Sequence, residues 1–128
     1  MTPLEQEIEK LSKIWFNFVN TDHHKDKDCH WYINQYFSYG QKPYFQASHW
    51  GYIGRDFEGT RCDTLEEAQE ELRDTLLLYI HRAKEGITIS LKQAKEMDPN
   101  DEYYWGGSVE EYQRMLHVLD GGEYYALA

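Results

Sequence analysis

Two cysteines in 128 residues are too few for a disulfide framework. No apolar run approaches the ~20 residues that a membrane-spanning helix needs. The N-terminus, MTPLEQEIEK, has no basic segment leading into an apolar one, so no secretory signal is expected there. Basic residues are also scarce: 13 Lys and Arg stand against 23 Asp and Glu, a formal net charge of −10. That balance argues against direct binding of nucleic acid, whose affinity comes from Lys and Arg neutralising phosphates. It argues equally against docking on anionic lipid. These absences point to the cytoplasm with reduced thiols. Internal repeats, low-complexity tracts and linkers are missing too, so residues 1–128 are expected to form a single compact domain, with 120–128 as a partly free tail.

Apolar and aromatic residues are plentiful. Hydrophobics make up 41% and aromatics 16%, too much for a disordered chain. The stretch from Cys29 to Arg55 holds nine of the 20 aromatics and no acidic residue. It alternates as a strand does. We expect strand one over His30–Tyr39, a turn at Gly40-Gln41-Lys42-Pro43, and strand two over Tyr44–Ile53. A further turn at Gly54-Arg55-Asp56 leads to a short strand, Phe57–Cys62. An odd-length loop, three or five residues with a bulge at Gly40, sets Trp31, Ile33, Phe37 and Tyr39 with Phe45, Ala47 and Ile53 on one core face. His49 shares that face as a core histidine. The opposite face then carries Tyr32, Tyr36, Tyr44, Trp50 and Tyr52, which either later elements or a partner must cover.

Four capping-box signatures mark helix starts: Thr2 with Glu5, Thr64 with Glu67, Ser90 with Gln93 and Ser108 with Glu111. The first helix is expected over Pro3–Val19, where Leu4, Ile8, Leu11, Trp15, Phe18 and Val19 share a face. The longest should run from Leu65 to Lys84, burying Leu65, Ala68, Leu72, Leu76, Tyr79, Ile80 and Ala83. Gly86 reads as its C-cap. Ile87-Thr88-Ile89 reads as a strand or extended lead-in, Leu91–Met97 as a short helix, and Val109–Leu119 as the last. The expected fold is therefore α+β. An N-terminal helix precedes an antiparallel hairpin with a short third strand, and a long helix and two shorter C-terminal helices then pack on the sheet.

The acidity is concentrated. Asp63–Asp74 holds six acids and one base, and Glu96–Glu111 six acids and no base, which leaves 11 acids against 12 bases elsewhere. Along the long helix, Glu66, Glu70 and Asp74 recur every fourth residue, about 6 Å apart. Like charges so spaced cost a few tenths of a kcal/mol per pair. One explanation is a solvated face whose first turn suits the helix dipole. The other is a surface that imitates a row of phosphates and blocks a basic groove. The expected contact residues are Glu66, Glu67, Glu70, Glu71 and Asp74, joined by Asp101, Glu102, Tyr104 and Trp105 of a Gly-flanked aromatic loop. The function expected is a non-enzymatic acidic binding or inhibitor protein, docking on a basic partner such as a nuclease or another nucleic-acid-binding protein. Small acidic toxin-immunity and anti-defence proteins share this composition.

No nucleophile elbow, phosphate loop or HExxH motif is present, so no catalytic residue and no cofactor is expected. The alternative is a small metal-binding enzyme or sensor using the His/Cys-rich segment 23–30 with Cys62, its ligands His24, Cys29, His30 and Cys62. A third possibility is a small-molecule domain with a pocket between the aromatic face and a helix.

Overall fold

The computed structural model describes residues 1–21, 28–51, 54–98, 100 and 106–127, without the side chains of 106–108. The chain runs α1 (Pro3–Val19), β1 (His30–Tyr36), β2 (Tyr44–Gly51), β3 (Gly54–Glu58), α2 (Leu65–Glu96) and α3 (Gly106–Leu119). It is α+β: a three-stranded antiparallel sheet in the order β1-β2-β3, with three helices.

α1 begins where the capping box places it. Thr2 Oγ1 accepts from the Glu5 N–H at 3.1 Å, and the Thr2 N–H donates back to Glu5 Oε1 at 3.2 Å. Those bonds hold the Glu5 carboxyl below its ordinary value. Thr64 caps α2 by accepting from the Glu67 N–H at 3.1 Å. The other two signatures are not caps, because Ser90 lies inside α2 and Ser108 inside α3.

The hairpin parity is as expected. Ile33 pairs with Ala47, Trp31 with His49 and Gln35 with Phe45. The loop, however, is residues 37–43, longer than three or five. Phe37 and Tyr39 fall within it and are exposed, so they are not core residues. A turn closes there, with the Gln41 N–H donating to Ser38 O at 3.1 Å and Gly40 at φ 75°. The bulge lies elsewhere: between β2 and β3 the register shifts at His49/Trp50, where Asp56 is the extra residue. β3 starts at Gly54, not Phe57, because Gly51 pairs directly with Gly54. Cys62 makes only an isolated bridge to Phe45.

α2 departs most from expectation. It is one helix of 32 residues, about 48 Å long at 1.5 Å per residue. It continues through Gly86, Ile87-Thr88-Ile89 and Ser90, so there is no break, no extended segment and no separate short helix. Gly86 is not in the left-handed conformation a C-cap uses. An interior glycine costs about 1 kcal/mol and β-branched residues a few tenths each. Packing offsets this: Ile87 joins the core and Ala94 is buried. The helix that does stop at glycine is α3. Gly121, at φ 93°, donates to Val118 O and Gly122 to His117 O, a Schellman closure.

The core joins Leu11 of α1, Ala47 of β2, Leu72, Leu76 and Ile80 of α2, and Leu119 of α3. Trp15, Phe18, Trp31, Ile33 and Phe57 pack around it. Leu65, expected inside, is 45% exposed. α1 and α2 cover one face of the sheet, whereas α3 packs on α1 and α2. Lys84 Nζ reaches Asp120 Oδ1 at 2.8 Å, so α3 runs back along the second half of α2.

Candidate partner-binding surfaces

The acidic segment of α2 divides by direction. Ala68, Leu72 and Leu76 take the inward face. Glu66, Glu67, Glu70 and Asp74 are exposed. Arg73 lies beside this row, 3.1 Å from Asp74 and 3.9 Å from Glu7 of α1, and partly neutralises its end.

Glu71 is different. Its Oε2 accepts from the Thr60 hydroxyl at 2.6 Å and its Oε1 from the Thr60 N–H at 2.9 Å. The Cys62 thiol donates to the same carboxylate at 3.5 Å. Burial alone would raise this carboxyl, but the Thr60 bonds outweigh it and hold the group below its ordinary value. Burial pushes the Cys62 thiol up, and the neighbouring carboxylate adds to the effect. Gly59 leaves the room: a Cβ there would come within 2.8 Å of Glu71 Oε1 and 3.2 Å of Ala47 O. Glu71 thus straps the β3–α2 connection to the helix.

Beyond Asp74 the same outward face carries Leu77 and Leu78, 44% and 43% exposed. Their signal was in the sequence. Three consecutive leucines, Leu76 to Leu78, turn through about 200° of a helix, so they cannot all face one core. Next along is His81, with Nε2 3.0 Å from Glu85 Oε1. The ridge is therefore acidic at its start and apolar at its middle. Beside its N-terminal end, Pro3, Leu4 and Leu65 with Glu5 and Glu66 line an open groove of about 620 Å³. Of the second acidic set, Asp101, Glu102, Tyr104 and Trp105 lie outside the described residues.

No described helix packs on the second face of the sheet. Tyr36 and Tyr44 stack there, 5.1 Å between ring centres at 19°. Arg61 lies 4.7 Å over the Tyr44 ring, and Arg55 Nε donates to the Tyr32 hydroxyl at 3.2 Å. Trp50 is 44% exposed. Between the aromatics, Gln46 and Ser48 are buried, with Gln46 Nε2 donating to Gly59 O at 2.6 Å. Tyr52 lies outside the described residues.

Of the expected metal ligands, Cys62 lies apart from Cys29 and His30. Cys29 precedes β1 at the end of the sheet where His30 pairs with Trp50. Cys62 bridges Phe45 near the other end of β2. At about 3.3 Å per residue the two thiols are on the order of 20 Å apart. His30 Nδ1 is engaged with Asp28 O at 2.7 Å. His24 lies outside the described residues. Among the described residues no three His, Cys, Asp or Glu side chains group as a metal ion requires.

Among the described residues no helix is long and apolar enough to cross a membrane. No family model, no curated protein and no solved structure matches this chain.

Proposed function

We propose that this chain is a non-enzymatic acidic binding protein that docks on a basic partner, a nuclease or another nucleic-acid-binding protein. The observation that carries the reading is the outward face of α2. Glu66, Glu67, Glu70 and Asp74 stand exposed on one continuous helix and run directly into exposed Leu77 and Leu78. A solvated face needs charge but has no use for two adjacent leucines in water. A docking face uses both. The carboxylates steer a basic surface into encounter, and the apolar pair excludes water once it has arrived. A row of negative charges is also what a phosphate-binding groove accepts, so the ridge would occupy such a groove in place of nucleic acid. The neighbouring groove suits a Lys or Arg side chain, its stem on Leu4 and Leu65 and its charge at Glu66.

Affinity purification with the wild-type chain and with an E66K/E70K variant tests this, each at low and high salt. The expected result is a nucleic-acid-binding protein retained by wild type at low salt, released by heparin, and absent with the variant. Equal recovery with both chains, or recovery of no basic protein, overturns the proposal.

A further inference from the structure

The charges of α2 are sorted along its length. Residues 65–74 hold five acids and one base, residues 75–80 carry no charge, and residues 81–96 hold four bases and two acids. The helix dipole favours acids at the start and bases at the end, but its reach is the first and last turn. It accounts for Glu66, Glu67 and Lys95. It does not account for Glu70, Asp74 or Arg82, which lie well inside the helix. Turned end for end, a helix so charged complements itself.

The exposed leucines sit in the uncharged middle. Glu66, Glu70, Asp74, Leu78 and Arg82 recur every fourth residue and form one ridge of helix surface. All five are exposed, and so is Leu77 beside them. Asp74 and Arg82 stand equally far from Leu78, four residues or about 6 Å along the axis on either side. A two-fold axis at Leu78 therefore sets Asp74 of each copy opposite Arg82 of the other, with the two Leu77-Leu78 pairs meeting between them. Arg82 has no competing tie. It makes no ion pair among the described residues, and Glu85, the carboxylate one turn on, is engaged by His81 at 3.0 Å. An apolar centre with charges at its rim is the usual anatomy of a protein interface.

We infer that the chain self-associates as a two-fold dimer, α2 packed antiparallel on the α2 of a second copy, with Leu78 at the axis and Asp74 paired with Arg82 on each side of it. The dimer covers the face on which a basic partner would dock, so a second copy and that partner compete for it. The inference does not need that partner, because every group it uses belongs to this chain.

Sedimentation velocity of the purified chain tests the inference. Wild type should pass from monomer to dimer as concentration rises. D74R alone and R82D alone should each raise the dimer dissociation constant about tenfold or more, because each turns two symmetry-related attractions into repulsions. Mixed in equal amounts, the two variants should recover the dimer, since each supplies the charges that the other lacks. That recovery also shows both variants to be folded. Wild type that stays monomeric at every concentration overturns the inference. Variants that dimerise as wild type does, or a mixture that associates no better than its components, overturn it in favour of a dimer through another surface. None of these results bears on docking to a basic partner, which the affinity purification tests by itself.

Discussion

Glu71 accepts two hydrogen bonds from Thr60, one from its hydroxyl at 2.6 Å and one from its backbone N–H at 2.9 Å. The contact ties the first turns of α2 to the segment that leaves β3. It also separates Glu71 from its neighbours Glu66, Glu67, Glu70 and Asp74, which face solvent. Five carboxylates in one helical run therefore have two kinds of work, and substitution should sort them.

E71Q should destabilise the fold by about 1 kcal/mol, because a charge-assisted bond from Thr60 becomes a neutral one. The loss should depend on pH. The folded carboxyl titrates below its ordinary value of 4.5, so its ionised form stabilises the fold at pH above the unfolded value. That contribution is lost as pH falls through the folded value. Urea unfolding of both chains should thus show the largest difference near neutrality and a shrinking one below about pH 4.5. A constant difference across that range would mean that the Glu71 charge plays no part.

The exposed members should behave in the opposite way. E70K changes i, i+4 repulsion with Glu66 and Asp74 into attraction, worth a few tenths of a kcal/mol. The melting temperature should hold or rise slightly. If the ridge is the docking face, association with its partner should slow, and the slowing should shrink with added salt. L77S/L78S should instead speed dissociation with little change in salt dependence. Measured on- and off-rates separate the two effects.

Arg114 is a buried arginine that the sequence pattern does not reveal, because its position on α3 reads as one more charged residue between apolar ones. Its Nη2 donates to Thr21 O at 2.7 Å, just past the end of α1, and its Nη1 to Tyr125 O at 3.3 Å. The Tyr124 ring lies 5.2 Å from its guanidinium carbon. R114M keeps most of the apolar volume and removes every donor, leaving the Thr21 carbonyl unpaired. We expect a loss of about 2–3 kcal/mol in stability. Residues 123–127 should become more sensitive to protease than in wild type. Unchanged cleavage would show that the tyrosines hold without the arginine.

Local rules held where several constraints met, whereas the capping-box pairs at Ser90 and Ser108, with nothing else beside them, mark no helix start. Thr2 and Glu5 satisfy each other reciprocally, and Pro3 follows, so the start of α1 could be read to the residue. Trp31, Ile33 and Ala47 demand the same face, so strand parity followed from alternation even though the loop length did not. Single-residue signals failed. Gly86 marks a helix end only if nothing beyond it can be buried, and here Ile87 packs on the core and Ala94 is buried, which is tertiary information. The start of β3 at Gly54 goes with a bulge at Asp56, a residue that bonds His49 across the sheet. The acidic row was visible as a count and a spacing, but the inward turn of Glu71 depends on Thr60, eleven residues earlier. Nothing in the sequence near Trp15 places it beside Trp31, 6.4 Å between ring centres.

Gly86 gives the sharpest test of the α2 helix. A glycine that ends a helix does so in the left-handed conformation, where an added Cβ is strained. Replacing it with alanine would then destabilise the protein. Gly86 here has an ordinary backbone conformation, and a Cβ would meet nothing within 4 Å. G86A should therefore stabilise the protein by about 1 kcal/mol, through helix propensity and a less flexible unfolded chain. The gain should appear as a higher urea midpoint with an unchanged slope. Amide exchange at Ile87, Thr88 and Ile89 should slow together with it, as one continuous helix requires. A lower midpoint would mean that the helix ends at Gly86, and that Ile87-Thr88-Ile89 form the separate extended segment their β-branched side chains suggest.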